Sequence, residues 1–332
     1  MISQSFKIDQ VYLESSGVIV SKKEKEGPLG KYFNEYIDDY YFGVNTFEKA
    51  QIKLCKAAIS KALAKSSYTY DDILIAFGGD LSNQIFSSTS TVKEENFPFV
   101  GLYAACASGV LAMILASLYM MQTKIENALA FTSSHVCVSQ RQLRYPNEYA
   151  SLVKNTTTNT ITGAGAVILS NQKSKIKLSK ASIGKVIDIL SNNVNDLGTC
   201  MAYAAIDTLK THFNNFNETI DDYDLIVTGD LSEIGTDVFK KELLLEGINV
   251  ENKHFDCGKE IYNKESQKTS AGGSGPACVM CVCLTYLLAK MKKEKYKKVL
   301  IIGTGALHSQ ISYQQKESIP CIAHAIVWEV EE

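Results

Sequence analysis

A chain of 332 residues, 45% of them hydrophobic, can form one large or two medium domains around a substantial core. Its 34 basic and 36 acidic residues leave a formal net charge of -2, which argues against nucleic acid as the main partner. Nine cysteines without disulfide-framework spacing point to reduced thiols. The opening MISQSFKIDQ has neither the basic nor the apolar region of a signal peptide, so a soluble chain is expected.

In chain order, a strand is expected near residues 18–21, followed by a polar excursion over 20–29. Apolar residues at Ile52, Cys55, Ala58, Ile59, Ala62 and Leu63 then follow helical spacing. The segment Asp71-Asp72-Ile-Leu-Ile-Ala-Phe-Gly-Gly-Asp80-Leu-Ser reads as a polar turn entering an apolar strand. Ala104-Ala-Cys106-Ala-Ser-Gly109 opens an apolar helix running to about Gln122. Residues 128–135, ending in His135, form the next strand, and 140–162 a second polar excursion.

The same order then repeats. A strand is expected near 183–187, a helix carries Met201, Ala204, Ala205, Thr208 and Leu209, and Asp222-Tyr-Asp-Leu-Ile-Val-Thr-Gly-Asp230-Leu-Ser restates the earlier strand and its exit. An enlarged connection over 233–270 leads to Gly272-Gly-Ser-Gly-Pro-Ala-Cys278, which opens a helix to about Lys292. A strand over 299–308 follows, with a further strand near the end. The chain is therefore an internally duplicated α/β protein with halves at 1–175 and 176–332, built on parallel or mixed sheets covered by helices.

Two uncharged stretches, 97–122 and 270–289, are long enough to cross a membrane. Their first residues are rich in Gly, Ala, Ser and Cys, which suits a strand or turn entering a buried helix, so both read as core helices. The lysine-dense segment 290–298 reads first as a solvated helix end, where cations suit the dipole, and second as a membrane-surface patch. Cys278, Cys281 and Cys283 do not share one helix face and read as core residues rather than metal ligands. Cys106, at a small-residue turn before a helix, is either a thiol activated by the helix N-terminus or a buried small hydrophobe.

Duplicated halves with central helices and a cysteine at the start of the first resemble the thiolase and condensing-enzyme superfamily, over essentially the whole chain. The resemblance implies a thiolase-like duplicated fold, an αβαβα five-layered sandwich with both central helices between the sheets. It places the cysteine's histidine partner at Gly229 and Asp230, and its second partner, histidine or asparagine, in the turn Gly272 to Gly275. The superfamily's acidic cysteine would fall near Ile301 or Ile302. With those partners replaced, no catalytic residue and no cofactor are expected, and His135 is a substitute partner for Cys106 only in principle.

A narrower resemblance is to the stage V sporulation protein AD family. It rests on Lys25-Glu-Gly-Pro-Leu-Gly30, Ala76-Phe-Gly-Gly-Asp-Leu-Ser-Asn83, Thr132-Ser-Ser-His135, Arg141-Gln-Leu-Arg-Tyr-Pro146, Asp224-Leu-Ile-Val-Thr-Gly-Asp-Leu-Ser232, His254-Phe-Asp-Cys-Gly258, Ala271-Gly-Gly-Ser-Gly275 and Ile319-Pro-Cys-Ile-Ala-His324. This resemblance implies a non-enzymatic protein that binds dipicolinic acid, alone or as its calcium chelate, and moves it into the developing spore, with a further role in its release at germination. It also implies partners encoded in the stage V sporulation A operon and a peripheral place at the inner membrane of the forespore or spore. Proteins of this fold are commonly dimers, so a homodimer is expected.

For such a ligand the expected site combines Cys106 and its helix N-terminus, Gly273 and Ser274 of the facing turn, and His135, Arg141 and Arg144 as further donors. Asp256 and Cys257 of the enlarged connection join it, with Asn83. Asp80 and Asp230 are either calcium ligands or strand-end aspartates capping turns. No resident metal is expected. A condensing or acyl-transferring enzyme using Cys106 and a scaffold of a membrane transport complex are the competing readings.

Overall fold

The computed structural model describes residues 4–143 and 153–331. Five strands of the first half are β1 (Tyr12–Ser21), β2 (Ala76–Gly79), β3 (Phe99–Gly101), β4 (Asn127–Ser134) and β5 (Gly163–Ser170). Their counterparts are β6 (Ile176–Ile183), β7 (Leu225–Thr228), β8 (His254–Asp256), β9 (Lys298–Ala306) and β10 (Cys321–Val330). The spatial orders, β3-β2-β4-β5-β1 and β8-β7-β9-β10-β6, are identical. So are the directions. The first three strands of each order run parallel, and the last two pairings are antiparallel. The two sheets meet at their inner edges through a single pair, Tyr12 with Lys177.

Helices fill the three spaces that remain. An outer helix, Phe47–Leu63, packs on the first sheet, and another, Leu197–Phe216, packs on the second. Between the sheets lie the central helices, Ser108–Thr123 and the one that begins with Pro276–Val282. The latter continues through a π-helical stretch, Cys283–Leu287, into Leu288–Lys292. Three separate buried clusters correspond to the three helical layers of this five-layered arrangement. Cys278, Cys281 and Cys283 all belong to the central one.

The uncharged stretches are thus explained by position. The segment Ala105–Thr123 is the one helix among the described residues long and apolar enough to cross a membrane. It is apolar on every side because it touches a sheet on each face and the second central helix between them. At Gly109 an added Cβ would lie 2.5 Å from Met280 Cγ, so the missing side chain lets the two helices cross.

Matching local chemistry repeats in each half. Before β2, Asp72 accepts from the amide and hydroxyl of Thr69, both at 2.7 Å; before β7, Asp222 accepts from the amide and hydroxyl of Thr219 at 2.7 and 3.3 Å.

Two expectations need correction. The strand opening the second half is Ile176–Ile183, not 183–187. Its alternating sequence carries Lys177, which pairs with Glu331, and Lys180, which pairs with Glu218. Each half also holds a third helix and a strand; in the second half they fall inside the segment read as a connection, and in the first the helix is not among the expected elements while the strand falls where a strand or turn is expected. These are Phe86–Val92 with β3 in the first half and Ser232–Leu245 with β8 in the second.

The outer helix sits directly on β1 at Gly17, where a Cβ would lie 2.0 Å from the Ala58 carbonyl oxygen and 2.6 Å from the Ala62 nitrogen. Backbone on both sides cannot give way cheaply. Gly17→Ala is expected to cost about 2 kcal/mol or more, read as a lowered urea midpoint. Gly247→Ala, with φ at +81° but nothing within 4 Å, is expected to cost only about 1 kcal/mol.

Candidate functional site

The first central helix and the turn before the second converge on one cavity of about 90 Å³, several times the space that one water needs. Ala105, Cys106, Ser274 and Ala306 line it from below, and Leu81, Tyr103, Leu143, Leu197 and Met201 supply apolar surface. The polar groups are hydroxyls and amides from Ser139, Gln140, Thr157, Thr158, Thr160 and Asn195, together with His308. Among the described residues, no lysine or arginine lines it. A second space of about 370 Å³ adjoins it and shares Leu81, Tyr103, Leu143 and His308 as walls.

Cys106 is presented by a strained turn, since Ala105 holds φ at +47°. Its sulfur lies 3.6 Å from Ser274 Oγ. The Ser274 hydroxyl donates to Asp230 Oδ2 at 2.6 Å, so the Cys106 S–H is left to donate toward Ser274. Asp230 is buried and also accepts from the Gly275 amide at 3.1 Å and the Thr304 hydroxyl at 2.7 Å. Burial pushes the Cys106 thiol well above the usual range, and the neighbouring Asp230 carboxylate pushes it further. Burial likewise raises Asp230, against the donors that surround it.

Of the two readings of Cys106, this setting favours the buried thiol over the activated one. A helix N-terminus favours a thiolate only while its amides face the sulfur, and a buried carboxylate one hydroxyl away outweighs it. Three of the backbone donors expected for an anion have partners within the protein, although the Gly275 amide also favours the Cys106 thiolate. Gly275 N–H serves Asp230, Ser108 N–H the Ala105 carbonyl, and Ala107 N–H the Ala104 carbonyl.

Of the residues singled out in the sequence, Cys106, Ser274 and Asp230 come together here. Gly273 flanks them through its backbone: its carbonyl accepts from Ser232 Oγ at 2.7 Å, and a Cβ would meet Ile261 Cγ2 at 2.6 Å. Asn83 lines only the adjoining space.

Others lie elsewhere. His135 is buried against Tyr40 and Phe47, donates from Nε2 to the Tyr40 carbonyl at 2.8 Å and accepts from the Cys137 amide. Both ring nitrogens are thus used away from Cys106. Arg141 pairs with Glu48 on the outer helix, and Arg144 lies outside the described residues. Cys257 is fully buried in the central core.

Asp80 and Asp256 cap turns. Asp80 accepts from the amide and hydroxyl of Ser82 and from those of Ser88 at 2.7 and 2.6 Å, fixing the start of Phe86–Val92. Asp256 accepts from Thr228 Oγ1, Leu231 N, Ser232 N and Lys259 N, all within 2.9 Å. These carboxylates are saturated by protein donors, which leaves them no role as ligands. Among the described residues, no group of three His, Cys, Asp or Glu side chains gathers to hold a metal.

His308 is the residue that sequence reasoning missed. It follows β9 as His135 follows β4, so the repeat carried a signal for it, but its ring is the one that reaches the cavity. Burial lowers its pKa, against a hydrogen bond with the Leu143 backbone. Near Ile301 and Ile302 there is only core; the position against the cysteine turn is Gly305, where a Cβ would lie 3.3 Å from the Cys106 nitrogen.

Alkylation of Cys106 by iodoacetamide, followed by peptide mass spectrometry, checks the state of the thiol. The rate is expected to be low at pH 7 and still rising at pH 9, because thiolate forms only as pH approaches the raised pKa. Asp230→Asn removes the repelling charge and is expected to speed the reaction on the order of tenfold, one pKa unit. A wild-type rate that levels off below pH 8 contradicts this assignment.

The profile of the stage V sporulation protein AD family matches residues 3–329. Over 319 residues the chain is 39% identical to stage V sporulation protein AD of Bacillus subtilis strain 168, covering 96% of this chain and 94% of that protein. Among solved structures, cerulenin-bound OleA of Xanthomonas campestris matches with a TM-score of 0.62 at 14% identity, covering 99% of both chains. The 3-oxoacyl-[acyl-carrier-protein] synthase III of Aquifex aeolicus VF5 matches with a TM-score of 0.56 at 13% identity, covering 96% of this chain and 99% of that one. These two likenesses establish the thiolase-like fold. The chain belongs to the stage V sporulation protein AD family.

Proposed function

We propose that this protein is a binding protein rather than an enzyme, and that the cavity above Cys106 takes dipicolinic acid for uptake into the developing spore and release at germination. The observation that carries the reading is the setting of the thiol. It is held toward Ser274 and Asp230, protonated by burial and by the nearby carboxylate, where a nucleophile needs a base that withdraws its proton. What remains is a small polar cavity with apolar walls for a planar ring.

The lining also bears on the form of the ligand. A free dianion would meet Asp230 behind Ser274 and no lysine or arginine among the described residues. The calcium chelate carries its own counter-charge, and hydroxyl and amide oxygens suit its cation. The protein acts at the inner membrane of the forespore or spore with partners from the stage V sporulation A operon.

Isothermal titration with dipicolinate, with and without calcium, and with isophthalate as the control tests the reading. Binding of dipicolinate, tighter with calcium and absent for isophthalate, is the expected result. No heat, or equal binding of both acids, sinks it. Cys106→Ala is expected to weaken binding less than tenfold, because the side chains of the walls remain. Ala306→Phe fills the floor and is expected to weaken it more than tenfold, about 1.4 kcal/mol.

One observation favours a second reading. The strained Ala105 turn presents Cys106 at the floor of a cavity, and the matching Aquifex structure is a 3-oxoacyl synthase. Incubation with acyl-CoA and mass spectrometry of the Cys106 peptide distinguishes the two, since an acyl adduct revives the enzyme. A scaffold within a transport complex would give neither adduct nor ligand heat.

A further inference from the structure

The end of the second central helix carries a cluster that the cavity does not use. Between Lys290 and Lys298 the chain reads Lys-Met-Lys-Lys-Glu-Lys-Tyr-Lys-Lys. Among the described residues, Lys31, Lys290, Lys292, Lys293, Lys295 and Lys297 form no ion pair, whereas the acids beside them are engaged: Glu294 with Lys175 and Glu35 with Lys61. Two more acids lie nearby: Asp224, which accepts from the amides of Lys297 and Lys298 at 2.7 and 2.9 Å, and Glu260, which faces Tyr286.

Aromatic rings lie among these cations. Tyr32 and Tyr286 meet edge to face at 5.1 Å, and Phe255 stacks on Tyr286 at 5.0 Å. Lys290 Nζ stands 5.8 Å from the Tyr32 ring and 5.5 Å from that of Tyr286, Lys31 Nζ 5.4 Å from Tyr32, and Lys295 Nζ 5.2 Å from Tyr296. The phenol of Tyr32 is correspondingly lowered by Lys290, with smaller effects of Lys31 and Lys293. Lys292 lies close enough to Lys65 to lower its ammonium, after burial and Lys61. The three tyrosines are half-buried, while Lys31, Lys292, Lys293, Lys295 and Lys297 are exposed.

In a chain of net charge -2, six cations without an ion pair are a local excess of positive potential that attracts an anionic surface. Its make-up selects the complement. Among the described residues it contains lysine and no arginine. Hydrated ammonium groups on flexible stems suit a diffuse layer of phosphates better than the paired carboxylates of a protein, for which the guanidinium fork is adapted. Tyrosines with apolar bodies and polar tips suit the same boundary.

We propose that the face formed by Lys31, Tyr32, Tyr286, Lys290 and Lys293 docks directly on an anionic lipid surface. This contact is independent of what the cavity binds. It complements attachment through partner proteins.

Sedimentation of the full chain with phosphatidylcholine vesicles, with or without about one third phosphatidylglycerol, tests the docking. The protein is expected to pellet only with phosphatidylglycerol and to be released as salt rises toward about 0.5 M. The variant Lys31→Glu/Lys290→Glu/Lys293→Glu is expected to lose about tenfold or more of its partitioning. Lys7→Glu/Lys49→Glu/Lys268→Glu, with the same change in net charge, is expected to keep it. Equal binding to both vesicles, equal loss in both variants, or salt-sensitive retention on polyglutamate without vesicle binding overturns the proposal. Thermal unfolding confirms that the variants are folded, and Lys290→Gln/Lys293→Gln replaces the triple variant if it is not. Dipicolinate titration of the same proteins reports on the cavity separately, so either reading can fail alone.

Discussion

The buried carboxylate of Asp230 organises the second half around the cavity. A buried charge persists only where donors surround it, and here they come from separate segments. Ser274 and Gly275 belong to the turn before the second central helix, Thr304 to β9, and the thiol of Cys106 stands behind Ser274. Asp230 therefore fixes the turn that starts one central helix against the residue that precedes the other. The geometry of the floor follows from this one side chain, which also adds to the effect of burial in holding the Cys106 proton.

That role is open to Asp230 because another residue took over its duplicate's task. In the first half, Asp80 caps the loop after β2 by accepting from Ser82 and Ser88. In the second, the corresponding loop after β7 is held by Asp256, which accepts from Leu231 and Ser232. One Gly-Asp-Leu-Ser motif thus yields a capped turn and the other a cavity floor. The difference arises from residues outside either copy of the motif: Ser88 for Asp80, and Asp256, Ser274, Gly275 and Thr304 for Asp230.

This is also why the fold was more legible than the site. Helical spacing at Ile52 to Leu63 and at Met201 to Leu209, and the uncharged runs of the central helices, record burial directly, and each became a helix. What escaped was short or polar: Phe86–Val92 is mostly serine and threonine, and Ile176–Ile183 alternates with lysines that neighbouring glutamates hold. In the site, Cys106, Ser274 and Asp230 were legible because the repeat brings the two central helices together. His135, Arg141, Asp256 and Cys257 carried suitable chemistry but were turned toward Tyr40, Glu48, backbone amides and the core. Residue type alone does not say which face of an element a side chain serves. Asn195, Thr157, Thr158 and Met201 arrive from loops and a helix start far apart in sequence, and nothing local marks their convergence.

The separation of charge has a further consequence for recognition. Among the described residues, the cavity is lined by hydroxyls, amides and a histidine whose pKa burial lowers, which set up no strong field to draw in an anion. Discrimination there must rest on shape and on neutral hydrogen bonds, which reject a near-isostere by leaving buried polar groups unpaired rather than by repulsion. The unpaired lysines at the far end of the second central helix act on the opposite principle, through long-range, salt-sensitive attraction with little geometric selectivity. Among the described residues no lysine or arginine lines the cavity, and Asp230 retains its protein donors. A lysine placed near Ser274 would compete for that carboxylate and weaken the link that fixes the two central helices to each other.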